Sequence, residues 1–538
     1  MTKTFFKRSL NVSLLFLAVS FFVSVLVLRS WVNDDAYITM RVVDNFVNGY
    51  GPRWNIADRV QVFTHPLWML LVSGVYFFTR EAYLTVLSLS WVLSVMAVWM
   101  FQKAVGNFKL SALAVLLLGL STAYVDYSTS GLENSLGHLL AMIFVWIFFT
   151  KEDLTTQRRV FSLSLITSLA LTTRHDYLLI YALALGFELY KAAKQLSIRT
   201  VIKLFLLGML PLLAWEIFST IYYGFPLPNT YYAKTGLFVS LPIRATQALH
   251  FFEYSLRYDP ITLILIFSSV VLGLTQPKLR LLSLGVLLYL VYLVTIGGDF
   301  LGGRFFSLPY VISVVVLVLS LEELFKVRFR RLGWTITAAA VLAVIVMQIL
   351  IAKSPSFLPY AKGFETANHY GIQDQRMLYA PTSFIKSDEV REYWHSSEYT
   401  DINKVKYLVR IFFMGELHRT EPNHDFIRRG KTIHRRSLNG ENTPLVIHAA
   451  GFIGYYAGPQ VHLIDELALG DAFLAQLPPI NITFNKIGHY DRLVLPDYES
   501  VIWGELDRIE EPASAGELYR EIQLITRGPL FTWERFKT

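Results

Sequence analysis

Eleven apolar stretches follow one another between Leu10 and Ile351, and this succession limits the possible folds more than any other feature of the chain. They are Leu10–Leu28, Tyr83–Phe101, Leu110–Ala123, Leu136–Phe149, Val160–Thr172, Tyr177–Leu189, Val201–Phe218, Ile261–Leu274, Leu281–Ile296, Phe305–Leu321 and Leu332–Ile351. Inside hydrocarbon every backbone N–H and C=O needs a partner within the chain, so such segments fold as helices. A core of roughly 30 Å takes about 20 helical residues. The shorter stretches are expected to extend into polar flanks or to sit where the bilayer thins. The first follows Lys3, Lys7 and Arg8. It exceeds the apolar part of a signal peptide and lacks a small-residue cleavage site, so it reads as a retained membrane helix.

Lysine and arginine assign the sides. The N-terminus, Lys103 with Lys109, Lys151 with Arg158 and Arg159, and Lys191 with Lys194, Arg199 and Lys203 form one cytoplasmic set. Lys278 with Arg280, and Lys326 with Arg328, Arg330 and Arg331, complete it. The alternate loops carry little positive charge. Pro66–Phe78 is apolar too, but counting it as a span would put the later basic loops outside. It is expected to be a juxtamembrane helix at the outer interface. Eleven spans from a cytoplasmic start leave the remaining chain outside.

Composition agrees, with 54% hydrophobic and 17% charged residues, against about 25% charged in soluble domains. The net charge of +8 lies in short loops rather than on a face, which argues against nucleic acid. With no cysteine, disulfides, thiolate metal sites and cysteine nucleophiles are excluded. His448, His462 and His489 lack zinc spacing, so no metal is expected. No glycine-rich phosphate loop follows a strand, so nothing supports a soluble nucleotide donor. In the polar tail, strand-like Pro444–Ala449, Gly451–Gly454 and strand-like Val461–Ile464 suggest an α/β domain.

The unusual polar clusters share the outer side. Asn33-Asp34-Asp35-Ala36-Tyr37 follows the first stretch. Adjacent carboxylates raise one another's pKa, which suits a general base; the same pattern suits a helix N-cap, and the two roles are compatible. Ser130–Asn134 carries Glu133, Thr172–Asp176 carries Arg174 and Asp176, and Pro226–Lys234 carries Asn229, Tyr232 and Lys234. Gly297–Arg304 carries Asp299, flanked by paired glycines, and Arg304. Such cations either hold a lipid phosphate through charge-assisted bonds or simply snorkel to headgroups. Tyr37, Tyr231, Tyr232 and Phe300 suit stacking on a sugar or an interfacial aromatic belt.

Longer runs carry a resemblance. Asp34-Asp35-Ala36-Tyr37-Ile38 is followed by Arg41, Asn48-Gly49-Tyr50-Gly51, Asn55 and Arg59 through Trp68, including His65. Ser130–Glu133, Asn229–Lys234, Gly297–Phe300, Leu463–Asp465 through Asp471, Leu477-Pro478 and Gly488-His489 follow in order. The sequence resembles the GT-C superfamily of polyprenyl-phosphate-dependent glycosyltransferases, and within it the bacterial terminal β-(1→2)-arabinofuranosyltransferase family. It departs from that family at Thr173-Arg174-His175-Asp176-Tyr177, where relatives often have Thr-Arg-Pro-Asp-Gly, and at Leu301 in place of a frequent methionine.

The resemblance implies a polytopic α-helical membrane protein of GT-C type with about 11 transmembrane helices and a C-terminal periplasmic α/β domain. The membrane domain would cover 1–352, with an outer loop 31–82 holding juxtamembrane helices, and the extracytoplasmic domain 353–538. It implies a bacterial inner-membrane enzyme moving a sugar, arabinofuranose first, from a polyprenyl-phosphoryl donor to a cell-envelope glycan or glycoprotein. Asp34 or Asp35, with Asp34 preferred, would be the base. Lys234, Arg304 or Arg174 would hold the phosphate, and Asp299, His65 and Glu133 would orient the sugar. Tyr37, Arg41, Asp176, Asn229 and Tyr232 join the substrate-binding set. No cofactor is implied, and no divalent metal is needed because the leaving group is already a phosphate. One base gives inversion, whereas a β-product from a β-linked donor requires net retention, for which the acid pair offers a two-step route. Another lipid-linked sugar, mannose or aminoarabinose, and a lipid or sugar transporter are the competing readings.

Overall fold

The computed structural model describes residues 2–149, 154–234, 239–327, 370–386, 400, 403, 406, 418–441, 444–481, 488–509 and 512–538. It is mostly helical. The helices used below are α1 (Thr2–Leu28), α2 (Asp34–Val47), α3 (Pro66–Thr79), α4 (Ala82–Val105), α5 (Phe108–Leu120), α6 (Thr122–Tyr127) and α7 (Asn134–Phe149). There follow α8 (Thr156–Thr173), α9 (Leu178–Ala193), α10 (Ile198–Tyr223), α11 (Asn229–Lys234), α12 (Leu241–Tyr258), α13 (Pro260–Leu274), α14 (Arg280–Ile296) and α15 (Ser307–Val327). The later part contributes α16 (Gln375–Leu378), α17 (Asp425–Leu438), β1 (Leu445–Ile447), α18 (Phe452–Ala457), β2 (Leu463–Asp465) and α19 (Ala472–Gln476). It ends with β3 (Pro479–Asn481), β4 (Asp491–Arg492), α20 (Pro496–Trp503), α21 (Ala513–Arg527) and α22 (Trp533–Lys537).

Ten of the predicted apolar stretches overlap helices, and the eleventh, Leu332–Ile351, lies outside the described residues. So do Lys151, Arg328, Arg330 and Arg331 of the basic loops. Among the described residues α1, α4, α10 and the helix reaching Glu323 are long and apolar enough to cross a membrane. α12 and α13 together form a further candidate, bent by 110°. The chain is a helical protein with several membrane-crossing segments. Pro66–Phe78 is the helix α3, too short for that set.

By packing, the chain falls into two compact units. One comprises Met1–Val32, Val86–Pro211 and Arg244–Glu421; the other comprises Asn33–Thr85, Leu212–Ile243 and Pro422–Thr538. Each grouping draws on three separate stretches of the chain.

In the first unit α1 packs on α5, α9 on α14, α7 on α8, and α15 on α13, α5 and α7. Small residues permit the closest approaches, as membrane helices require. At Gly285 of α14 a Cβ would collide with the Ile180 carbonyl of α9. Arg29, at the end of α1, forms a bidentate pair with Asp126 through Nε–Oδ1 and Nη2–Oδ2 contacts of 2.9 Å each. Both residues are buried.

In the second unit α2 packs on α3 and on α18, and α18 packs on α17. β1 and β2 pair in parallel with Leu445 opposite Leu463, while β3 and β4 pair antiparallel. Both strands of the parallel pair fall where apolar β-prone runs predicted them. Asp465 at the end of β2 accepts the amides of Leu467, Leu469 and Gly470 at 3.1, 2.8 and 3.0 Å, fixing the turn that follows.

Candidate functional site

In the second unit α2 begins where Asn33 caps it, its side chain accepting the Asp35 N–H at 2.9 Å. The cap is thus Asn33 itself, which leaves Asp34 and Asp35 in the first turn, where negative charge is favoured. Asp34 is buried and Asp35 half-buried. Asp34 Oδ1 accepts the backbone N–H of Phe452 at 2.7 Å. Gly451 lies so close that a Cβ there would collide with the Asp34 carbonyl. Burial pushes the Asp34 carboxyl up to about 7, assisted by the charge of Asp35 and opposed by the amides of Phe452 and Gly451. A buried acid that titrates near neutrality can take a proton from a hydroxyl and give it up again.

Tyr37, one turn on, is buried against Phe452, Tyr455 and Tyr456 with ring centroids 4.6, 5.1 and 5.8 Å away. His65 Nε2 pairs with Thr39 Oγ1 at 2.8 Å. Arg41 works as a staple. Its guanidinium donates to the carbonyls of Trp54 at 2.6 Å, Val461 at 2.8 Å and Gly458 at 3.1 Å, and also to that of Gly454. Asn229 is similar, its Nδ2 donating to the carbonyls of Ala468, Leu469 and Asp471 at 2.8, 3.0 and 3.2 Å. Tyr232 is half-buried against Phe225 and Tyr231. Lys234 is half-buried, its stem running past Gly488, where a Cβ would lie 3.5 Å from Lys234 Cδ.

The first unit holds a second cluster. Glu133 is fully buried, and its Oε1 accepts from Arg174 Nη1 at 2.9 Å and Arg304 Nη2 at 3.0 Å. Arg174 also grips Asp176 in a fork, through Nε–Oδ1 and Nη2–Oδ2 contacts of 2.9 Å each. Tyr289 donates to Asp176 Oδ2 at 3.0 Å. The Phe305 ring lies 4.7 Å from the Arg174 guanidinium and 5.9 Å from that of Arg304. Two cations and two carboxylates therefore face one another in one cluster. Asp299 is half-buried, and its charge acts on the Tyr127 phenol together with those of Arg304, Asp374 and Asp126.

Sequence reasoning passed over a pocket in this unit lined by Trp31, Asp126, Tyr127, Tyr254, Ser255 and Asp374 among others. Ser255, 2% exposed, has an Oγ with no hydrogen-bond partner among the described residues. Burial and the charge of Asp126 push the Asp374 carboxyl up. The acids come from segments far apart in sequence, so no local motif announced them. The partnership of Gly451-Phe452 with Asp34 was also missed; the glycine in an otherwise apolar run was its one visible sign.

No family model matches the chain. Curated relatives do match. A terminal beta-(1->2)-arabinofuranosyltransferase of Mycobacterium tuberculosis is 30% identical over 223 residues, covering 38% of this chain and 35% of that protein. In sequence the chain is arabinofuranosyltransferase-like. The Corynebacterium glutamicum protein of the same name is 26% identical over 338 residues, covering 52% of this chain and 46% of that protein. The chain thus spans about a third to a half of the length of these arabinofuranosyltransferases. Among solved structures, ArnT from Cupriavidus metallidurans bound to undecaprenyl phosphate gives a TM-score of 0.47 at 12% identity, covering 85% of this chain and 87% of that one. The apo form of an Archaeoglobus fulgidus oligosaccharyltransferase gives 0.44 at 12% identity, covering 86% and 65%.

Proposed function

We propose that the chain is a membrane glycosyltransferase that moves arabinofuranose from a polyprenyl-phosphoryl donor to a cell-envelope glycan or glycoprotein. The observation that carries this reading is Asp34: a buried carboxyl, fixed by a backbone amide and raised to about 7, in a chain similar in sequence to arabinofuranosyltransferases. In the reaction Asp34 takes the proton of the acceptor hydroxyl as its oxygen bonds to the anomeric carbon. The bond from that carbon to the phosphate oxygen breaks, and the electron pair leaves with the polyprenyl phosphate. Lys234 supplies positive charge to this leaving group, so the reaction needs no divalent metal. Inversion at the anomeric carbon would mark a single displacement by the acceptor oxygen with Asp34 as base; retention would bring Asp35 in as a second carboxylate.

On this reading the chain sits in a bacterial inner membrane with eleven spans and a cytoplasmic N-terminus. The site and the 353–538 region face the periplasm, as the distribution of lysine and arginine supports. The test is mass spectrometry of envelope glycans from a strain lacking the protein. Loss of one pentose, restored by the wild-type chain but not by Asp34→Asn, is expected. Loss of a hexose or of an aminopentose would replace arabinofuranose as the donor sugar, and unchanged glycans would overturn the reading. For the topology, Ser514→Cys in this cysteine-free chain should react with an impermeant thiol reagent in outer-membrane-permeabilised cells. Labelling only after lysis would reverse the orientation.

A further inference from the structure

Three large aromatic side chains within six residues, Phe531, Trp533 and Phe536, are 78%, 76% and 53% exposed. Single exposed apolar residues are ordinary on a protein surface, but a contiguous group of large ones marks a surface that something covers. The segment that bears them is firmly placed. Arg535, itself buried, donates Nε to the Ile525 carbonyl at 2.8 Å, Nη1 to that of Leu530 at 3.2 Å and Nη2 to that of Tyr222 at 3.3 Å. Tyr222 stands in the last turn of α10, one of the helices long and apolar enough to cross a bilayer.

Further contacts hold the same junction. At Gly224, just beyond α10, φ is +82° and a Cβ would collide with the Ile525 side chain of α21. Arg59 donates to the Ile525 carbonyl at 3.2 Å and also to that of Gly528. The chain from α21 to α22 is therefore packed against the end of α10. That end carries Trp215, Phe218, Tyr222 and Tyr223, the aromatic crowding found where a membrane helix leaves hydrocarbon. The headgroup layer on each side of the core is roughly 5–7 Å deep, about the reach of one arginine side chain. A segment joined to the last turn of α10 by one arginine is within reach of that layer.

We infer that Phe531, Trp533 and Phe536 insert into the headgroup–acyl boundary of the bilayer, so that the end of the tail lies on the membrane rather than standing in water. The chemistry suits that occupant. Aromatic rings take the boundary, while exposed Lys537 meets anionic headgroups. The proposal rests on no assignment of a sugar or a reaction.

The native chain has no cysteine, so site-directed spin labels give a direct test. Phe531→Cys, Trp533→Cys and Phe536→Cys, made singly in this chain, are labelled with a nitroxide. They are then placed in nanodiscs of phosphatidylethanolamine and phosphatidylglycerol, with Ser514→Cys as the exposed reference. Power-saturation measurements compare collision with oxygen, which concentrates in lipid, and with a water-soluble nickel chelate. The expected result is an oxygen-to-nickel ratio several-fold above that of Ser514→Cys at all three positions. A ratio equal to the reference means water surrounds the segment, and protection from both colliders means that protein, such as a second copy, covers it. Either overturns the proposal. Three separate positions keep the test decisive if one variant does not fold.

Discussion

Asp34 Oδ1 and the backbone N–H of Phe452 meet at 2.7 Å across 418 residues of chain. This bond favours the ionised carboxylate and so opposes the burial that raises it. Exchanging the Phe452 amide for an ester, by incorporating phenyllactate, removes the donor and keeps the ring. A hydrogen bond to a charged group is worth about 1.5–3 kcal/mol. The acid limb of kcat/KM against pH should therefore move up by roughly one to two units. Phe452→Ala keeps the amide and loses the ring, and should leave the limb in place. Equal shifts in both variants would assign the effect to packing.

Asp34→Asn should abolish transfer and, at pH 8, raise thermal stability. The folded carboxyl, near 7, lies above its ordinary 3.8. Between those values the folded state holds a proton that the unfolded chain has lost, so stability falls as pH rises through that window and stays low above it. The penalty at pH 8 is at most ~4 kcal/mol, and an asparagine there does not incur it. Thermal unfolding in nanodiscs should show a higher Tm for the variant at pH 8 and no difference near pH 3. Loss of a general base costs about 10²–10⁴-fold in rate. A variant that keeps transfer would remove Asp34 from the chemistry.

The helices were legible in the sequence because their causes are local, apolar runs of membrane length. A cap before α2 was legible too, but it was read on the aspartates, whereas the oxygen that accepts the Asp35 amide is that of Asn33. The strands Leu445–Ile447 and Leu463–Asp465 were legible for the same reason. What Arg41 and Asn229 do was not. Their side chains show that they donate hydrogen bonds, but their acceptors are backbone carbonyls of Gly454–Val461 and Ala468–Asp471. Backbone groups are alike at every position, so no motif marks which of them a distant side chain will meet. Arg174 and Arg304 read as phosphate ligands from their place at a membrane boundary. Their shared acceptor, Glu133, is 41 and 171 residues away, a pairing that spacing alone does not reveal.

Glu133→Gln should destabilise the protein, the opposite of Asp34→Asn. Glu133 is the fully buried carboxylate that Arg174 and Arg304 share, and neutralising it removes the charge that both guanidiniums face. Breaking a buried pair by removing one partner costs about 3–5 kcal/mol. The expected result is a Tm lowered by several degrees and a poorer monodisperse yield. An unchanged Tm would mean that this cluster holds little of the fold together.

Arg41→Lys and Lys234→Gln should separate a cation that holds the fold from one that holds substrate. The flat fork of Arg41 spans carbonyls of Trp54, Gly454, Gly458 and Val461, which the single ammonium of a lysine cannot reach together. Arg41→Lys should therefore make the chain beyond Pro422 more sensitive to limited proteolysis, with the donor KM of the folded fraction unchanged. Lys234, whose stem lies along Gly488, is the reverse case. Removing its charge should raise the KM for a polyprenyl-phosphoryl donor by roughly tenfold or more, leave the proteolysis pattern alone, and weaken the effect of added salt on that KM. If Lys234→Gln instead behaves like Arg41→Lys, the phosphate must be held by another cation.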